Sequence, residues 1–287
     1  MVHQGDLKAD RRGGHACRLA AGALAAGLVL AALGRAGFGE APPLDQLVGF
    51  FDSVALQDDT SMFGSAGTMP KRVSRWEQPI VVHIAGSISE SMEDRLKWHL
   101  ERFRLLAGVD VTYVELRDQA NLRIILTSAG EVAARSGSAD TLCLTQYGPS
   151  SGAIDYADIY IPVAQTVWLD NCMAHELMHA VGFYAHPKDN DNRSVLEQGA
   201  PPRIRTFTAL DAAGIRMLYD PRLRVGLARE RALPIARIIA EELLARWPDE
   251  MQTPRPGEPL GPDGFVPLAS EPAVADDLAA EAMRTAR

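Results

Sequence analysis

At 287 residues, 47% of them hydrophobic and 23% charged, the chain has the size and composition of one or two globular domains with a real core. A formal net charge of −8, with no basic stripe, excludes nucleic acid as the expected partner.

Residues 1–40 stand apart from the rest. Arg11, Arg12 and Arg18 precede an apolar run at 19–33, and small residues follow at 34–37. That is the layout of a secretory signal peptide, so a periplasmic or secreted protein is expected, with a membrane involved only if the segment stays uncleaved. Of three cysteines, Cys17 falls in this segment and leaves Cys143 and Cys172 as a pair. In an oxidising compartment such a pair reads as a disulfide; the other reading is two buried thiols.

Residues 41–78 form an arm with weak patterning, expected as a loop packed on the domain surface. Order begins at residues 80–85, a β-branched run and hence a first strand. A helix follows, with Ser91 and Asp94 as its capping signal; Met92, Leu96, Leu100 and Phe103 recur at the helical period until Gly108. Strands are expected at 109–116 and 122–126, the first of them parallel to strand 80–85 across the helix. A short helical patch at 131–135 leads through Gly/Ser-rich segments around Cys143 to a strand at 153–161. Its alternation suits the edge of a sheet, where an extended peptide could add.

Residues 167–183 then form a largely buried helix, which Gly182 caps. Residues 187–202 read as a loop. Thr208 and Asp211 cap a helix that Pro221 ends, and 227–248 holds a C-terminal helix with Pro234 in its first turn. The Pro- and acid-rich tail at 249–287 is expected to be disordered.

The chemistry concentrates in His175-Glu176-Leu177-Met178-His179. Histidines four apart on a helix share one face, at about 5–6 Å between Cβ atoms, a spacing that one zinc ion (Zn2+) can bridge. Glu176 between them has the place of a general base. A hydrolytic zinc site needs a third protein ligand and one open position. His186 is favoured over Asp189, Asp191 and Glu197, because a helix stopped at Gly182 returns the next few residues towards the metal. Tyr184 reads either as packing or as an oxyanion stabiliser, and His83 and His99 read as structural.

His175-Glu176-x-x-His179-x-x-Gly182 followed by a nearby histidine resembles the zinc signature of the metzincin metalloproteases. Asp211-x-x-Gly214-Ile215-x-x-Leu218-Tyr219 is similar to the last helix of their matrixin group. In that family the third histidine comes three residues after the glycine; here Ala185 stands there and His186 comes one later. Leu196 takes the place of the family's methionine beneath the metal. The resemblance implies an α+β fold, a zincin-like mixed twisted sheet with a helix crossover and a zinc-binding motif helix, over residues 79–226. It also implies a zinc-dependent metalloendopeptidase acting on a peptide or protein substrate.

Arg75-Trp76-x-x-Pro79, Cys172 and Leu218-Tyr219-Asp220-Pro221-Arg222-Leu223 resemble a family of secreted bacterial domains of unknown function. Two other outcomes stay open on such a scaffold: a non-catalytic envelope binding protein with a structural metal, and an amidase acting on cell-wall peptides.

Overall fold

The computed structural model of the chain describes residues 41–57, 72–147, 152–163, 169–187, 193–197 and 206–247. The expected signal segment, the expected disordered tail and the candidate ligands Asp189 and Asp191 lie outside these residues. The order of elements is α1 (Leu44–Ala55), β1 (Ile80–Ala85), α2 (Glu90–Ala107), β2 (Val111–Tyr113), a 3-10 turn (Arg117–Gln119), β3 (Leu122–Thr127), α3 (Ala129–Ser136), β4 (Leu144–Tyr147), β5 (Ala157–Pro162), α4 (Leu169–Ala180), α5 (Ala209–Leu218) and α6 (Arg229–Ala245). No helix among the described residues is long and apolar enough to cross a membrane.

The result is a mixed α/β domain built on a five-stranded, mostly parallel sheet of order β2-β1-β3-β5-β4. β1 pairs in parallel with β2 and β3, and β3 with β5; β4 alone runs antiparallel, against β5. Period-2 alternation decides which face is buried. Val82, Ile84, Leu122, Ile124, Ala157 and Ile159 join one apolar core with Leu96, Leu100 and Phe103 of α2 and Met173 and Leu177 of α4. The opposite face carries Arg123 and Asp158, directly opposed across β3 and β5 and joined by a charge-assisted pair that the Tyr156 and Tyr160 hydroxyls complete.

Several expectations change here. The strand at 157–162 is interior, because it pairs with β3 on one side and β4 on the other; Asp158, which looks solvent-facing in sequence, is buried against Arg123 of β3 and two tyrosines. The edge on that side is β4, which lies in the stretch around Cys143 where no strand is expected. The arm contains α1, whose Leu47, Phe50, Phe51 and Val54 enter the core, in place of the expected surface loop. The strand expected at 109–116 is confined to β2, and α2 is capped two residues early, by Ser89 accepting from the Met92 amide. The expected box at Thr208 and Asp211 is present at the start of α5.

Cys143 and Cys172 stand at disulfide-bonding distance, with Cα atoms 5.8 Å apart, and link the residue before β4 to α4. Cys143→Ser is expected to lower the unfolding free energy by about 3.6 kcal/mol, the loop-closure entropy of a roughly 30-residue loop, measured by urea denaturation of the oxidised protein. A wild-type stability that excess reductant leaves unchanged would count against a bond there.

Candidate metal centre

α4 is sunk in the core, with Leu169, Cys172, Met173, Ala174, Leu177, Met178 and Ala180 all buried. Its polar residues therefore need internal partners. Every one of its last carbonyls finds a donor. The Gly182 amide donates to His179 O at 2.9 Å and the Phe183 amide to Met178 O at 3.1 Å, the pairing of a Schellman turn. Trp76 Nε1 donates to Ala180 O at 2.8 Å and the Tyr219 hydroxyl to Val181 O at 3.0 Å. Gly182 has φ 120°, and a Cβ there would lie 2.1 Å from Ser74 O, so only glycine fits where the helix stops.

That turn brings His186 back to the helix. The Nε2 atoms of His175 and His179 are 3.1 Å apart, and those of His175 and His186 are 3.2 Å apart. Bonds of about 2.0–2.1 Å in a tetrahedral shell would set ligand nitrogens roughly 3.3 Å apart, so the spacing fits one small cation.

The tautomers point the same way. His175 Nδ1 donates to Val195 O at 2.7 Å and His179 Nδ1 to Phe183 O at 2.6 Å. Carbonyls only accept, so both Nδ1 atoms carry the proton, and in the neutral rings both Nε2 atoms present lone pairs. Two lone pairs facing each other at 3.1 Å repel, and a cation between them relieves this. Burial, then the neighbouring histidine, lowers the His175 pKa to about 4; burial and both neighbours push His179 well below its usual value. Both rings are thus neutral, the form in which an imidazole can bind a metal ion.

Behind His175, the Val195 turn is fixed by Asp211. This fully buried carboxylate accepts from Ser194 Oγ at 2.6 Å, the Val195 amide at 3.1 Å, the Thr208 amide at 2.8 Å and Thr208 Oγ1 at 2.9 Å. Burial raises its pKa, and those four donors act against the rise. Leu196, in the same turn, is fully buried.

Glu176, between His175 and His179, is itself buried. Thr145 of β4 lies against it, with Oγ1 2.7 Å from Glu176 Oε2 and 2.9 Å from its main-chain oxygen. Burial raises the Glu176 pKa to about 7 against the pull of Thr145, which places it in the range where a general base exchanges protons near neutrality.

Tyr184 is buried; its hydroxyl is 2.7 Å from Ser74 Oγ, which donates in turn to Gly152 O, and burial raises its pKa to about 12. Glu197 accepts from the Arg193 amide at 2.6 Å and is not among the converging ligands. His99 is fully buried with Nε2 3.4 Å from Asp170, and His83 Nδ1 lies 3.2 Å from Val114 O. Sequence reasoning missed Thr145, because β4 itself was missed. It also missed the reach of Asp211 beyond its own helix cap, which no local pattern encodes.

Fold and site together define a mixed α/β domain whose buried helix and following turn gather three histidines that could hold a metal ion. The chain belongs to the family described as protein of unknown function DUF2927, which matches residues 45–238. No curated protein matches it.

In the metal-free protein, a Glu176 pKa raised above its unfolded value gives stability that is present at low pH and lost as pH rises from about 4.5 through 7. Glu176→Gln removes this titration. It is expected to stabilise the metal-free protein at pH 8 by about 3 kcal/mol and to change little at pH 4, measured by urea denaturation with chelator present. A Gln variant no more stable than wild type at pH 8 would show that the carboxyl titrates normally.

Proposed function

We propose that the chain is a zinc-dependent metallopeptidase with a zincin-like architecture. The observation that carries this reading is the convergence of three imidazoles with a buried glutamate from the same helix. Three nitrogen ligands suit zinc, and a three-ligand shell with one open position is the catalytic form of such sites. A bound zinc ion would supply Lewis-acid polarisation of the scissile carbonyl and a more acidic water.

The chain's own residues do the rest. His175 and His179 are held in one tautomer by Val195 and Phe183. Glu176 takes a proton from the attacking water and returns it to the leaving amine nitrogen, with a pKa that allows both transfers near neutrality. β4, at the edge of the sheet and linked to Glu176 through Thr145, is placed to accept an extended peptide as an added antiparallel strand. An extended substrate next to Glu176 favours an endopeptidase of unfolded or loop segments. Secretion to the periplasm or beyond fits the expected signal segment and the cysteine pair.

Purified protein is expected to contain one zinc ion per chain by elemental analysis and to hydrolyse fluorescein-labelled casein. Glu176→Ala should keep the zinc and lose activity by about 10²–10⁴-fold. Protein without stoichiometric zinc, or an unimpaired Glu176→Ala variant, would overturn the reading. A closed four-ligand zinc shell seen by X-ray absorption would favour a binding protein with a structural metal.

A further inference from the structure

His186 comes four residues after Gly182, and each of the three intervening residues has an anchor. The Phe183 carbonyl accepts from His179, the Tyr184 hydroxyl lies on Ser74, and the Ala185 amide donates to Val54 O at 3.2 Å. Val54 is in the last turn of α1. The last four carbonyls of a helix have no partner within it, and here the turn bearing the third histidine supplies one.

α1 and this turn also share a seat. A Cβ at Gly214 of α5 would lie 3.2 Å from Phe50 Cε1 and 3.5 Å from Phe183 Cε1, so a ring from α1 and a ring from the turn press on one glycine. α1 is held down on its other side by Asp52, which takes both Arg229 Nε and Nη2 of α6 at 2.7 Å, and by Asp45 with Arg237 at 2.9 Å.

From this juxtaposition we infer that α1 is a positioning element for the metal centre: docking of α1 fixes the Ala185 amide and, through it, the place of His186. Without α1 the Ala185 amide loses its acceptor, Val54 O, and the centre falls back towards a two-histidine site. The inference rests on His186 being a metal ligand, and the experiment below separates failure of that reading from failure of this one.

The probe is Co2+ in the full chain, whose visible absorption reports coordination number and geometry. Phe50→Ala and Asp52→Ala undock α1 without touching a ligand. Val132→Ala is the control, since Val132 is a fully buried α3 residue outside the main core cluster. Phe50→Ala and Asp52→Ala are expected to weaken Co2+ binding about tenfold to hundredfold and to move the spectrum towards that of His186→Ala, with Asp52→Glu recovering part of the loss. Val132→Ala should leave affinity and spectrum unchanged.

Linkage gives a second measurement, on wild type, that needs no α1 variant to fold: Zn2+ must slow hydrogen exchange in α1, and must not do so in His186→Ala. The inference is overturned if the α1 variants keep the wild-type spectrum and affinity while His186→Ala loses them. It is also overturned if Val132→Ala is equally impaired, or if Zn2+ leaves α1 exchange unchanged. If wild type binds neither ion, or if His186→Ala matches wild type, the ligand assignment fails first and this inference with it.

Discussion

The end of α4 is the constraint on which the rest of the structure depends. A buried helix cannot leave its terminal carbonyls without donors. Met178, His179, Ala180 and Val181 obtain theirs from the Phe183 and Gly182 amides, the Trp76 indole and the Tyr219 hydroxyl. Those donors come from the turn itself, from the segment before β1 and from the end of α5, so three distant parts of the chain meet at one helix terminus. Arg75 adds a second tie by donating to Leu218 O and Asp220 O, both at 2.8 Å. The turn that carries His186 is thereby given a fixed starting point.

His175 and His179 depend on main-chain carbonyls for their orientation. Val195 and Phe183 hold Nδ1 of His175 and His179, and Asp211 in turn holds the Val195 turn. Neutral acceptors fix the tautomer without adding charge beside the rings, so burial keeps the imidazoles unprotonated. Among the described residues, Glu176 and Asp211 are the buried carboxyls next to the histidine-bearing segments. One has a single hydroxyl partner and a pKa near neutrality; the other has four donors that resist the effect of burial. Partner number separates a carboxyl suited to proton exchange from one suited to holding a turn.

Much of this was legible in the sequence, for identifiable reasons. β1, β3, α2, α4 and α5 have strong periodicity or capping signals, and a glycine that the helix end requires is visible at Gly182. The histidines are a local pattern, and their convergence follows from helix geometry and one turn. α1 was legible in principle, since Leu44, Leu47, Val48, Phe51, Val54 and Ala55 recur at the helical period, but nearby Gly, Ser and Asp residues masked that signal. β4 was not legible: Leu144-Thr145-Gln146-Tyr147 is too short for periodicity, and its pairing is set by β5. Asp158 misled because its counter-charge, Arg123, is on another strand. Contacts such as Thr145 with Glu176, or Val54 with Ala185, join residues 31 and 131 positions apart, read directly from their numbers, and no window along the chain spans them.

Strand order has a consequence for local stability. β4 precedes β5 in the chain but lies outside it, and among the described residues it pairs with β5 alone. Its place in the sheet rests on β5 alone, so the strand bearing Thr145 is held on one side and, as an edge, belongs to the part of the sheet that opens most readily. The buried environment of Glu176 therefore depends on an edge strand. Closing the Cys143–Cys172 link would tether β4 to α4 and restrain that opening. The oxidation state of the compartment thus bears on how well the surroundings of Glu176 stay closed.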